Sequence, residues 1–351
     1  MSGEKRAGNK RNKGKTAVWV ILGLMLMVIV GIVFAYIKLE SLNKTSAEFV
    51  EKPEIVLETE AELPVIVETP ADIDEDFLLP VETPVEESIY KQVRIDEDVF
   101  NVLVLGSDVR PHESGYGRSD SMMLVSFDRE NKVIKISSFM RDTWISIPNK
   151  GWNRINAAYA FGGIGLAVNT VNENFGLDIQ NYAIVEFDGL LNLVDDLGGI
   201  EVYLTLLEIK YINSANLGNP ILAKTGRYLL NGAQTLTHSR NRSTGDGDFG
   251  RTRRQRDVLV AIMEKMYSTM NPITLTSFIT ESLDYVDTNI SPDTVFTLGL
   301  DLISAKKYTV QQARVPFDDT WQYASKEGRS VVTINLERNK SLLHEFLYGE
   351  K

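Results

Sequence analysis

From Ala17 to Ile37 the chain runs 21 residues without a charged side chain, AVWVILGLMLMVIVGIVFAYI. As a helix this covers roughly 30 Å, the apolar thickness of a bilayer. The run is long for a signal-peptide core, and no small-residue cleavage motif follows it. A buried core helix is rarely apolar on every face. One N-terminal transmembrane helix over residues 17–37 is therefore expected, dividing the chain between two compartments.

Charge sets the orientation. Residues 1–16 carry six basic side chains and one acid, so the positive-inside rule keeps this tail cytoplasmic. Everything after Lys38 then lies outside, on a single-pass protein of the cell membrane. Residues 38–98 form the next unit, in which Leu39 to Asp98 holds eighteen acids and four bases. Val-Glu-Thr-Pro occurs there at 67–70 and again at 81–84, and aromatic residues are sparse. Such a segment buries too little surface to offset its ordering entropy, and like charges with prolines extend it. It is read as a stalk, with a partner-binding tail as the sharper alternative. The formal net charge of −11 is thus segregated, and residues 99–351 are close to neutral. With no cysteine and three histidines, thiolate metal sites and disulfides are excluded, and a zinc hydrolase is disfavoured.

The body, 99–351, alternates strand and helix patterns. Residues 100–105, 122–127 and 132–139 are apolar strand runs, the last two joined by a turn at Asp128–Asn131. A short strand is expected at 144–147, helices at 155–161 and 164–175 around Gly162-Gly163, and a strand at 182–187. A helix at 189–197 stops at Gly198-Gly199, before a strand at 200–204. Residues 205–227 give no clear pattern. Asn231 caps a helix to Ser239. The longest helix is expected over 251–270, with Val258, Leu259, Ile262, Met263 and Met266 as its core stripe. Helices at 273–286 and 292–305, strands at 308–315 and 331–334, and a helix at 336–347 follow. The fold class is α/β, a β-sheet sandwiched between helices.

One stretch concentrates chemistry. His238 to Asp257, HSRNRSTGDGDFGRTRRQRD, holds six arginines and no lysine. A guanidinium grips phosphate through two parallel hydrogen bonds, which an ammonium does not do. Arg240 and Arg242 end one expected helix, and Arg251, Arg253, Arg254 and Arg256 open the next. A Gly/Asp turn, 244–250, folds the groups toward each other, with a helix N-terminus aimed at the same place. A solvated basic face or nucleic-acid contact would use the same residue types. The acidic total and the exported position weigh against nucleic acid.

A second site follows the first strand. Asp108 and Asp120 stand at the two ends of the loop from Gly106, with Arg118 between them. Ligands collect at the carboxyl ends of strands in α/β sheets. Paired carboxylates suit a hard cation such as Mg²⁺ (or Mn²⁺) when phosphate oxygens complete its shell. Each aspartate alone is as readily an Asx turn or a cap. Arg118 and the Arg141-Asp142 pair favour phosphoryl transfer, in which cations surround the phosphate and a carboxylate takes a proton. No Walker or kinase motif is present, so a donor carrying its own energy, such as a lipid-linked pyrophosphate, is expected.

Seven motifs in order resemble the LytR-CpsA-Psr proteins. They are FNVLVLGSDVR (100–110), GRSDSMMLVSFD (117–128), SFMRDTWISIP (138–148), INAAYAFGG (155–163), LVDDLGGIEV (193–202), LLNGAQTLTHSRNR (229–242) and GDFGRTRRQRDVL (247–259). The resemblance implies a mixed α-β-α sandwich. It also implies transfer of an anionic glycopolymer, such as wall teichoic acid or capsule, from undecaprenyl pyrophosphate to peptidoglycan in a Gram-positive envelope, as a phosphodiester. By resemblance, Asp108 and Asp120 match metal-associated carboxylates, and Arg118, Arg141, Arg240, Arg242 and Arg251 match pyrophosphate-holding arginines. Gln255 falls on an amide position of the pyrophosphate site, and Asp248 or Asp120 on that of a base for the acceptor hydroxyl. An apolar tunnel for the polyprenyl chain is implied as well. The chain departs from the family with Met140 where proline is usual and Ala233-Gln234-Thr235 where Glu-Gln-Ala is usual. A polyprenyl-pyrophosphate pyrophosphatase and a non-catalytic lipid-phosphate-binding regulator remain as alternatives.

Overall fold

The computed structural model describes residues 98–107, 119–269, 272–282, 285–304 and 308–349. The expected tail, the expected span and the stalk up to residue 97 lie outside the described residues, as do Asp108 and Arg118. Among the described residues no helix is long and apolar enough to cross a membrane.

The centre is a six-stranded sheet. Its strands are β1 (Val99–Ser107), β2 (Ser119–Asp128), β3 (Val133–Phe139), β6 (Asn181–Glu186), β9 (Val286–Thr288) and β10 (Thr309–Val315), in the order β10-β3-β2-β1-β6-β9. β1 runs parallel to β6 and β10 parallel to β3, while the other neighbours are antiparallel, so the sheet is mixed. Both edge strands come from beyond residue 271, so the C-terminal part completes the sheet rather than forming an extension.

The apolar runs of β1 and β2 are nearly continuous because both faces are covered. Successive side chains point to opposite faces. Leu103, Leu105, Met122 and Leu124 pack on helix α1 (Ala157–Phe175) and the closing helix α8 (Leu336–Tyr348). Met123, Val125, Ile134 and Ile136 meet Leu259 and Met263 of the long helix α5 (Gly247–Thr269). Helices on both faces give the α-β-α sandwich.

The stripe expected on α5 is two stripes. Val258, Ile262 and Met266 turn instead toward a satellite core. That core gathers α2 (Phe187–Asp196), the pair β7 (Ile200–Leu204) and β8 (Gly226–Leu230), and α3 (Leu206–Ser214). α3 starts at a Thr205–Glu208 capping box inside the stretch that gave no sequence pattern. α4 (Gly232–Arg240) starts at the expected cap, where Asn231 accepts from the Gln234 N–H and Gln234 reaches back to the Asn231 N–H. A Cβ on Gly232 would lie 2.1 Å from the Leu191 carbonyl, so glycine is what lets α4 meet α2.

Several expectations are corrected. The helix expected from residue 155 starts at Ala157, while the break at Gly162-Gly163, where the backbone is non-helical, stands as expected. The helix expected at 273–286 ends at Ser282 (α6, Pro272–Ser282), and Val286 opens β9. The helix expected from Pro292 is found as α7, Pro292–Ser304. Beside the expected β4 (Trp144–Ile147) lies an unexpected partner, β5 (Gly151–Arg154). β11 (Trp321–Lys326) was also unexpected and pairs with β12 (Arg329–Ile334).

Candidate functional site

The turn between α4 and α5 carries the arginine stretch, and one residue of that stretch fastens it. Arg254 is fully buried. It donates to the Asn241 carbonyl (2.6 Å), the Thr244 hydroxyl (2.9 Å) and the Asp246 carboxylate (3.0 Å), and contacts Glu208 at 3.4 Å. Burial would raise the Asp246 carboxyl, but the hydrogen bonds from Arg254 and Thr244 outweigh it and hold its pKa at about 2. The turn is therefore closed by a charge network, and α5 begins at Gly247, four residues before the expected start.

That earlier start places Asp248 on the first turn of α5 rather than in a loop. It lies one turn before Arg251, whose guanidinium approaches it to 2.8 Å. Asp120 likewise lies inside β2, because that strand starts earlier than the apolar run implied. Arg141, just after β3, contacts Asp120 at 3.0 Å and Asp248 at 3.6 Å. Arg242 is 3.8 Å from each carboxylate, and Arg251 is 3.7 Å from Asp120. Three elements thus converge on two carboxylates, and five of the sequence-predicted site residues share one cluster.

Arg240 lies elsewhere on the rim. Its guanidinium covers the Phe187 ring at 4.5 Å, and it lines the adjoining cavity together with Gln255. The other arginines of the stretch are structural. Arg253 pairs with Asp257 and Glu208, and Arg256 donates to Gln312 at 3.0 Å. Burial pushes Arg256 down to about 10.

The cluster is charge-paired but not hydrogen-bond satisfied. Both oxygens of Asp248, Nε and an Nη of Arg251, and Nε of Arg141 are buried without an aligned partner among the described residues. Buried polar atoms are ordinarily satisfied, so five such atoms in one cluster mark a place for a polar ligand. Burial raises the Asp248 carboxyl above its ordinary value. Arg141 and Arg242 pull it down, while Asp142 and Asp120 add to the rise.

Sequence reasoning missed Arg154 at the end of β5. It pairs with Asp142 at 3.3 Å, and Asp142 contacts Arg141 at 3.6 Å, so Arg154 braces the Arg141 loop. No spacing signal marks it. Met140 has a local reason of its own. Its N–H donates to the Val315 carbonyl at 2.8 Å, a bond that proline could not make. Gln234, the amide of the second departure, also donates to the Asn219 carbonyl at 3.1 Å.

Behind the cluster lies a cavity of about 670 Å³ between the sheet, α2 and α5. Its lining combines the charged Asp120, Arg242 and Arg251 with apolar side chains such as Val104, Leu193 and Ile262. A chamber lined by both arginines and apolar side chains can take an amphiphile with an anionic head. These lining residues could not be told from core by sequence, since the same residue types serve both.

Known proteins match most of this chain. Regulatory protein MsrR of Staphylococcus aureus is 32% identical over 251 residues, 71% of this chain and 74% of that protein. Polyisoprenyl-teichoic acid–peptidoglycan teichoic acid transferase TagU of Enterococcus faecalis is 34% identical over 227 residues, 63% of this chain and 72% of that protein. Among solved structures, YwtF (TagT) of Bacillus subtilis with bound octaprenyl pyrophosphate lipid superposes with a TM-score of 0.57 at 26% identity. That match covers 74% of this chain and 95% of the other. The description "LytR_cpsA_psr family" matches residues 80–344, well beyond the motif block on both sides, and the chain belongs to that family.

Proposed function

We propose that this protein is a membrane-anchored, extracytoplasmic phosphotransferase. It moves an anionic glycopolymer from undecaprenyl pyrophosphate onto peptidoglycan. The observation that carries this reading is that Arg141, Arg242 and Arg251 gather on Asp120, which with Arg242 and Arg251 lines a cavity otherwise rich in apolar side chains. A pyrophosphate and a long apolar tail joined to it have adjacent places there. The names of TagU and of the lipid-bound YwtF (TagT) structure support the same donor class.

The mechanism follows from the residues. In the absence of substrate the arginines rest on Asp120 and Asp248. An incoming pyrophosphate offers more negative charge in the same place, and the guanidiniums turn to its oxygens. Their donors then face the charge that develops in transfer. Asp248, made more basic by burial, takes the proton of the acceptor hydroxyl. The acceptor oxygen bonds to the glycan-side phosphorus, the bridging P–O bond breaks, and polyprenyl phosphate leaves. Arg240 and Gln255 line the path between head and tail.

Asp120 is a hard oxygen donor beside the same phosphate position and fits a divalent cation whose remaining ligands are phosphate oxygens. Asp108, its expected companion, lies outside the described residues. Mg²⁺ bound there would supply neutralisation of phosphate charge.

The test is transfer by the full-length protein in vesicles, given a lipid-pyrophosphate-linked saccharide, peptidoglycan fragments and Mg²⁺. Coupled glycan with release of lipid phosphate is expected, with loss on Arg242→Ala and on chelation. Release of lipid phosphate without coupled glycan would instead identify a pyrophosphatase. Tight lipid binding without turnover would identify a regulator.

A further inference from the structure

Beside Asp248, but outside the cavity, three aromatic rings meet. Phe249 is the next residue on α5. Its ring lies 4.6 Å from that of Trp321, and Trp321 lies 5.1 Å from Tyr323. The Trp321 and Tyr323 planes stand at 83°, forming a corner, and Tyr323 is 65% exposed. The guanidinium of Arg314 covers the Phe249 ring at 4.3 Å and is held by Asp318. None of these residues lines the cavity behind the cluster.

The corner is tied to the cluster from a second side. Tyr323 stands opposite Val332 in the β11–β12 pair. The Val332 N–H donates to the Asp142 carbonyl at 2.9 Å, next to Arg141. Arg154, which pairs with Asp142, donates to the Ser330 carbonyl at 2.6 Å. The hairpin therefore holds its aromatic face in fixed relation to both Asp248 and Arg141.

We infer that the Trp321–Tyr323 corner is the landing place of the acceptor glycan, a pyranose stacking on Trp321 beside Asp248. This inference rests on the transferase reading, since it assigns the acceptor side of the same site. A pyranose has an apolar C–H face and a hydroxyl rim. An aromatic ring takes the first, and a perpendicular tyrosine presents an O–H to the second. Asp248 itself does not line the cavity that takes the lipid. The acceptor hydroxyl then reaches Asp248 from another side, and the aromatic corner is joined to the next residue of the helix, Phe249. Each side chain also offers a large contact surface with few rotors to immobilise.

The experiment uses the full-length protein in detergent. The probe is a soluble tetrasaccharide of alternating N-acetylglucosamine and N-acetylmuramic acid, titrated without lipid substrate and followed by calorimetry. Trp321→Ala, Trp321→Phe and the surface change Tyr323→Ala are compared, with thermal unfolding as the check on folding. Wild type is expected to bind the tetrasaccharide. Tyr323→Ala and Trp321→Ala should each weaken binding about fivefold or more, and Trp321→Phe should recover most of the loss. In the transfer assay the same variants should raise the KM for the acceptor, with the KM for the lipid donor as the companion readout.

Undiminished tetrasaccharide binding in folded Tyr323→Ala and Trp321→Ala overturns the inference. So does an absence of binding in wild type, or a rise confined to the donor KM. If wild type binds the tetrasaccharide through Trp321 yet transfers nothing, the aromatic site stands and the transferase reading falls. If transfer proceeds with the acceptor KM unchanged in the variants, the reading stands and the aromatic site falls.

Discussion

The Arg251 guanidinium lies 2.8 Å from the Asp248 carboxylate one helical turn earlier, and 3.7 Å from the Asp120 carboxylate on β2. One side chain thus joins the first turn of α5 to the end of a central strand. Arg251 is only 2% exposed, so its charge is held in place by those two anions. A buried charge without its partner costs several kcal/mol, about 3–5 in typical cases. The site is therefore poised to receive a competing anion, and the fork geometry of arginine decides how that anion is held.

Arg251→Lys keeps the charge and removes the fork. The expected result is a fall in kcat/KM of roughly 100-fold with the fold intact, since an ammonium cannot present parallel donors to pyrophosphate. Steady-state transfer with the lipid-pyrophosphate donor, alongside a thermal melt, decides it. Activity within about threefold of wild type would remove Arg251 from the phosphate-binding set.

Asp248→Asn separates stability from activity. Burial raises the folded-state pKa of Asp248 above its unfolded value. Its favourable contribution is therefore complete below the unfolded pKa and is lost as pH rises through the folded one. A neutral amide of the same shape avoids the desolvation of the carboxylate, but it leaves the buried Arg251 with Asp120 as its remaining anion. With these two effects opposed, the variant should stay folded at pH 7 while losing transfer. Wild-type kcat/KM should fall on the acid side at a pH above the ordinary aspartate range. Retained transfer in the folded variant would falsify the assignment of Asp248 as a buried base.

The parts legible in sequence were those with a periodic or chemical signature. β1 to β3 showed apolar runs because helices cover both faces, and Asn231 announced α4 because caps use few residue types. The arginine clamp was legible as chemistry, since guanidiniums without lysines in a turn have few purposes. The division of labour within it was not. Arg254 and Arg251 look alike in sequence, yet one fastens the turn and the other faces the cluster. The start of α5 was hidden because Gly247-Asp248-Phe249-Gly250 has low helix propensity, and tertiary contacts override it. β5 has four residues and no periodicity. β11 alternates too briefly to separate from loop, which concealed the aromatic corner.

A buried histidine gives the protein an acid-sensitive seam. His238 on α4 is almost fully buried, and burial lowers its pKa from 6.5 to about 4; Glu208 opposes the shift and Arg254 adds to it. The unfolded chain binds this proton more readily than the folded one. The stability from keeping His238 neutral is therefore present above pH 6.5 and is lost as pH falls toward 4. The loss is on the order of 3 kcal/mol. Denaturant melts between those limits should show the slope, and His238→Gln should flatten it. An unchanged slope in the variant would place the titration elsewhere.

Gly250→Ala tests whether the turn's charge network positions the site. Gly250 lies on the first turn of α5, where a Cβ would come within 1.8 Å of the Asp246 carboxylate. That carboxylate cannot simply swing away, because Arg254 and Thr244 both hydrogen-bond it. A methyl group must therefore either displace Asp246 from the buried Arg254 or shift the first turn of α5. The first route leaves a buried guanidinium short of its anion, and the second moves Asp248 away from Arg141 and Arg242. A stability loss of about 2–4 kcal/mol is expected. Transfer should fall by more than the unfolded fraction explains, because a displacement near 1 Å at a positioned base is costly in rate. Urea melts and kcat measured at a temperature where the variant is fully folded separate the two effects. A variant that is destabilised but turns over normally would show that Asp246 and Arg254 hold the turn together without positioning Asp248.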